Sequence, residues 1–190
     1  LSVYNGRCRA LTQAQREELS RTRRPAWRIA VPDQQISFPD LCQGTYTENL
    51  ARDCGDFILR RSDGVYAYQL AVVVDDGEMG VTQVVRGYDL LPSTPRQLWL
   101  QTQLGLPHPR YFHVPLLLAP DGRRLSKREH DLDLGALRRT HTPEQLLGKL
   151  AFLAGLLDRP EAASAAELAR DFDWTRVFSK NISINSVFFH

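Results

Sequence analysis

Methionine occurs once, at Met79, and cysteine only three times, at Cys8, Cys42 and Cys54. Three thiols cannot build a disulfide framework, and an odd number fits a reducing, cytoplasmic setting. Long hydrophobic runs are also missing. None exceeds five residues, the length of Leu70–Val74, against about 18 for a membrane-spanning helix, which excludes such a helix and a membrane partner. Leu1–Ala10 holds neither an apolar signal core nor an Arg-rich transit helix. A large excess of one charge is lacking too: 24 basic side chains against 22 acidic ones leave +2, so bulk charge does not point to nucleic acid. His108, His113, His130 and His141 show no ligand spacing and are assigned no role. No internal repeat or low-complexity segment interrupts the chain.

What is present is an ordinary globular composition, 43% hydrophobic and 24% charged over 190 residues, which predicts one domain or slightly more. The charge is unevenly spread. Residues 1–30 carry seven arginines against Glu17 and Glu18, a local +5, suited either to RNA phosphates or to a solvated face. Thr12-x-x-Gln15 has capping-box spacing and predicts a short helix over 13–21, stopped by Arg24-Pro25. Trp27–Val31 reads as a strand, and 32–55 as a polar excursion with short strands and too few apolar residues for a core. Phe57–Arg61 and Val65–Tyr68 predict a hairpin around Ser62-Asp63-Gly64. Leu70–Val74 fits a buried strand or a helix. Asp75 and Asp76 are read as a boundary punctuated by Gly77. Val81–Arg86 and Tyr111–Leu118 read as strands. Thr94-Pro95-Arg96-Gln97, Thr142-Pro143-Glu144-Gln145 and Ser164-x-x-Glu167 all predict helix starts with reciprocal caps. The pattern is helical past Asp133.

The segment Gly122-Arg123-Arg124-Leu125-Ser126-Lys127-Arg128 joins a glycine turn to a dense cationic stretch. Such a loop can neutralise phosphate charge as it develops, or it is simply solvated. Its context matters. The ordered series Tyr66–Asp76, Met79–Thr82, Val84–Gly87, Asp89–Leu91 and Ser93–Gln97 resembles the second half of the glutamyl branch of class I aminoacyl-tRNA synthetases. Leu125-Ser126-Lys127-Arg128 falls where that branch carries its KMSKS-type signature. Tyr4-Asn5-Gly6-Arg7-Cys8-Arg9 resembles the Tyr-x-Gly-x-Cys-Arg stretch of the shorter glutamyl-Q tRNA(Asp) synthetases, and only about 60 residues follow Arg128, too few for the anticodon-binding domain of the full glutamyl enzymes.

The resemblance implies an α/β fold: the second half of a Rossmann-type nucleotide-binding domain, with a polar insertion and a carboxyl-terminal helical subdomain. Residues 1–55 are then the end of an inserted zinc- or acceptor-type subdomain, 56–130 the catalytic portion and 131–190 the helical portion. It also implies that Tyr68, on a strand, and Arg86 bind glutamate, the guanidinium offering a planar fork to a carboxylate. Read without it, Tyr68 is a core aromatic and Arg86 a surface ion pair with Asp89. Lys127 is the implied catalytic lysine, within an ATP-binding loop of Arg124, Leu125, Ser126, Lys127 and Arg128. Tyr4 and Cys8 match two of four zinc ligands, and the chain has no cysteine before them, so a complete zinc site is not expected within it.

The implied activity is that of a ligase: glutamate activated with ATP, with magnesium, and passed to queuosine in tRNA(Asp) by an enzyme that is monomeric when intact. The chain opens on Leu1 and contains no His-x-Gly-His. It is therefore expected to be the carboxyl-side portion of an enzyme and inactive alone. A fragment of a full glutamyl-tRNA synthetase charging tRNA(Glu) is one alternative, and a non-catalytic RNA-binding module another.

Overall fold

The computed structural model describes residues 3–125, 134–184 and 186–189. Six α-helices and eight short strands are found among them, a mixed α/β order. Two compact units divide the chain: unit 1 is Leu1–Asp40, Gly44–Val84 and Leu90–Tyr111, and unit 2 is Leu41–Gln43, Val85–Asp89 and Phe112–His190. This division does not follow the sequence segments 1–55, 56–130 and 131–190. Contacts distant in sequence define it, and composition does not record them.

Unit 1 begins with α1 (Gln13–Thr22), which starts where its cap predicts: Thr12 accepts from the Gln15 amide and Gln15 reaches back. Strand β1 (Trp27–Ile29) pairs antiparallel with β4 (Phe57–Arg60). The hairpin expected of Val65–Tyr68 is reduced to one bridge, Arg60 to Tyr66, over a tight turn closed by the Arg61 amide on the Val65 carbonyl. Strand β2 (Gln35–Asp40) pairs along its length with β3 (Gly44–Asn49) and meets β6 (Arg110–Val114) in parallel at Asp40 and Tyr111. With β5 (Gln83–Gly87) these strands run in the order β3-β2-β6-β5.

The expectation that 32–55 lacks core residues fails. Phe38 packs with Leu91, Leu98 and Tyr111, and Leu50 is fully buried. Few apolar residues suffice here, because alternation in β2 sends Phe38 inward.

The run Leu70–Val74 is helical. It lies in α2 (Tyr68–Glu78), and Asp75, Asp76 and Gly77 form the last turn of that helix, so the expected boundary falls at its carboxyl end, closed by the Met79 amide on the Asp75 carbonyl. A Cβ on Gly77 would come within 2.8 Å of the Leu106 side chain. Glycine there permits close packing at the end of the helix. Helix α3 (Thr94–Leu104) also departs from expectation. Its cap residue is Ser93, without a side-chain cap bond, and Thr94 is already helical and fully buried. Gln97, expected to close a capping box, instead donates to Gln69 Oε1 at 2.8 Å.

In unit 2, β7 (Leu117–Leu118) pairs in parallel with β8 (Ile182–Ser183). The expected strand over Tyr111–Leu118 is thus split into β6 and β7. After α4 (Leu134–Leu137), helices α5 (Pro143–Ala154) and α6 (Ala165–Arg170) both carry the expected capping boxes, on Thr142 and Ser164. Leu146, Ile184 and Phe189 form the core, with Leu117, Leu125 and Leu137 against it. The Lys149 ammonium donates to the Phe188 carbonyl at 3.0 Å and holds the last turn of chain to α5.

Candidate functional site

Tyr68 is the first residue of α2, not part of a strand. The turn after β4 delivers it there, and Ala67 precedes it without a side-chain cap. At 54% exposed it is not a core aromatic. It lines a cavity of about 470 Å³ within unit 1, together with Tyr4, Arg28, Cys54, Asp56 and Gln69.

The wall opposite the helix start is built by charge. The Arg28 guanidinium lies 4.1 Å from the Tyr4 ring centre and donates to the Asp56 carbonyl at 2.7 Å. Asp56 accepts from the Val31 amide at 3.0 Å and pairs with Arg9 at 3.3 Å. Cys54 lies among these groups, and burial pushes its thiol up to about 11. It is therefore a protonated, unreactive sulfur at neutral pH. On the helix side Gln69 donates to Ser93 Oγ at 3.0 Å and accepts from Gln97, which ties the start of α2 to α3. Sequence reasoning named Tyr4 and Tyr68, and the structure lines one cavity with both. It missed Arg28, Asp56 and the glutamine pair, whose partners are distant in the chain.

Tyr4 and Cys8 are joined otherwise than a metal site requires. The Cys8 amide donates to the Tyr4 hydroxyl at 2.8 Å, and the Arg28 cation occupies the ring face. Among the described residues no three His, Cys, Asp or Glu side chains gather as ligands. A structural zinc takes four. Tyr4 and Cys8 would supply two of those four, and the described residues bring no further ligand cluster to them.

Arg86 belongs to unit 2, at the end of β5. Its Nε donates to His113 Nε2 at 2.9 Å. A guanidinium can only donate, so this imidazole nitrogen is the acceptor and the ring proton sits on Nδ1. His113 is fully buried in β6, and its own carbonyl accepts from Gln43 at 2.8 Å. Sequence spacing assigned His113 nothing. The available signal was a polar ring inside the apolar run of β6, which must find a partner when buried. Asp89, the alternative partner for Arg86, forms an ion pair with Arg124. Arg124 also bridges to Leu118, and Leu125 packs on the unit 2 core. Ser126, Lys127 and Arg128 lie outside the described residues.

Comparison with known proteins identifies the family. Residues 2–187 match the family described as tRNA synthetases class I (E and Q), catalytic domain. A glutamyl-Q tRNA(Asp) synthetase of Neisseria meningitidis is 50% identical over 172 residues, covering 90% of this chain and 55% of that protein. One of Symbiobacterium thermophilum is 48% identical over 177 residues, covering 92% and 54%. The chain thus spans about half the length of the curated relatives it matches. A crystal structure of a glutamate tRNA ligase from Elizabethkingia meningosepticum, in complex with its amino acid, superposes with a TM-score of 0.80 at 26% identity, covering 98% of this chain and 42% of that one. With nearly its whole length matched and its mixed α/β order shared, the chain belongs to the catalytic-domain family of class I tRNA synthetases of the glutamate and glutamine type.

Proposed function

We propose that this chain is part of an enzyme that activates glutamate with ATP and transfers it to queuosine in the anticodon loop of tRNA(Asp). The observation that carries the reading is the identity of about one half, over nine-tenths of this chain, to proteins named glutamyl-Q tRNA(Asp) synthetase. In the first step the glutamate α-carboxylate attacks the α-phosphorus of ATP. Pyrophosphate leaves with the electrons of the broken P–O bond, and glutamyl-adenylate forms. Magnesium, when bound, shares the charge on the phosphates. Arg86 offers its fork to the glutamate side chain, and Tyr68 offers a phenolic hydroxyl to the amino acid. Lys127 and the cationic residues beside it offset the charge on the leaving pyrophosphate.

The purified 190-residue chain is expected to show no glutamate-dependent ATP–pyrophosphate exchange, since it has no His-x-Gly-His segment. Robust exchange overturns that part of the reading. Joined to the portion of the Neisseria relative that it does not cover, the chain is expected to glutamylate queuosine-containing tRNA(Asp) and not tRNA(Glu). Arg86→Ala in that protein is expected to abolish selectivity for glutamate. Charging of tRNA(Glu) instead favours a full glutamyl-tRNA synthetase, a reading supported by the 0.80 TM-score to a glutamate tRNA ligase.

A further inference from the structure

The β1–β4 ribbon carries a feature that the amino-acid and ATP sites do not use. Trp27 stands directly opposite Arg60, and the register shifts between Trp27 and Arg28. Trp27 is 66% exposed and Tyr66 60%. Two large aromatic faces in solvent on one small ribbon have no role in packing unit 1. Each is accompanied by guanidiniums. Arg60 Nε donates to the Gly64 carbonyl at 3.0 Å, which sets its fork 5.4 Å from the Tyr66 ring centre. Arg24, Trp27, Arg60 and Arg61 line a shallow cavity of about 200 Å³. Asp63 is the one carboxylate of the 60–64 turn, and it pairs with Arg61.

We propose that this ribbon face is a docking surface for the unpaired nucleotides of an RNA loop, with a base stacked on Trp27 and phosphates held by Arg24, Arg60 and Arg61. A π-face takes any exposed base, and guanidiniums take both phosphate oxygens and base planes. A duplex hides its base faces and an acidic peptide has none, so neither uses the indole. The surface rests on the proposed function only for which RNA it meets. Its test needs no catalysis.

The probe is a fluorescein-labelled RNA stem-loop with the sequence of a tRNA(Asp) anticodon arm, titrated with the 190-residue chain, beside a blunt duplex of the same stem. The stem-loop is expected to bind more tightly than the duplex. Trp27→Ala is expected to weaken stem-loop binding about five- to a hundred-fold and leave duplex binding unchanged, with Trp27→Phe recovering most of the loss. Arg24→Gln and Arg61→Gln are expected to weaken both probes and to lower the salt dependence by about one ion each. Equal affinity for the two probes overturns the proposal. So does an unchanged affinity in Trp27→Ala, or displacement of the RNA by polyglutamate at equal charge. Loop binding without glutamylation of tRNA(Asp) by the joined protein leaves the surface standing and removes the enzymatic reading. Glutamylation without loop binding does the reverse.

Discussion

Glu48 shows how burial is paid for at a single side chain. It is 7% exposed on β3, and burial pushes its carboxyl above the usual carboxylate range, against the hydrogen bond from the Tyr46 hydroxyl at 3.1 Å and the Arg96 charge. An acid whose folded value is raised binds its proton more tightly folded than unfolded. It therefore stabilises the fold at low pH, and that stability is lost as pH rises from the ordinary carboxylate value through the raised one. Glu48→Gln keeps an acceptor for Tyr46 and cannot ionise. It is expected to raise the urea midpoint at about pH 7 and to leave it nearly unchanged at about pH 4. His113 makes the opposite case, a buried polar ring whose partner is in place. His113→Ala removes packing and the Arg86 acceptor together, and is expected to cost about 3 kcal/mol in urea denaturation. His113→Gln, which can accept at the same position, is expected to cost less. Glu48 carried no signal in the sequence, and His113 only that of a polar ring inside an apolar run. Glu48 and His113 acquire their character from neighbours that only the folded sheet supplies.

Among the helices, legibility depended on whether the cap could act locally. Thr12, Thr142 and Ser164 each bond their own third residue, within one turn, and each helix starts where its pattern predicts. Thr94 has the same spacing but is buried, and Gln97 finds Gln69 on another helix. A tertiary partner displaced the local one there. Thr142→Ala is accordingly expected to cost about 1 kcal/mol of thermal or urea stability. Gly148 in α5 reverses the usual propensity argument. Alanine in a helix interior normally gains about 1 kcal/mol over glycine. Here an added Cβ would collide with the Glu161 carbonyl oxygen, and that neighbour is backbone. Gly148→Ala is expected to destabilise by about 3 kcal/mol, because α5 and the 161–162 segment must part. A midpoint equal to or above that of the unsubstituted chain removes this account of the glycine.

For the molecule as a whole, the α/β order and the later helices followed from periodicity and caps, and the family followed from motifs in series. The division into units did not, because it is carried by cores whose members are far apart in sequence. One core gathers Phe38, Leu91, Leu98 and Tyr111, the other Leu146, Ile184 and Phe189. Each draws only on residues of its own unit. Two cores without shared members need not melt together, and a chain that holds them is expected to depart from two-state unfolding. The tryptophans report on them separately: Trp99 lies in unit 1, while Trp174 lies in unit 2, 4.2 Å from Phe112 and 4.5 Å from Phe172 between ring centres. A form retaining only Trp99 and a form retaining only Trp174, with phenylalanine elsewhere, are expected to give different urea midpoints. Adding Gly148→Ala to each is expected to lower the midpoint reported by Trp174 and leave that reported by Trp99 in place. Coincident midpoints, shifted equally by the glycine substitution, would mean that β5 and β6, which each contribute residues to both units, make the two cores unfold as one.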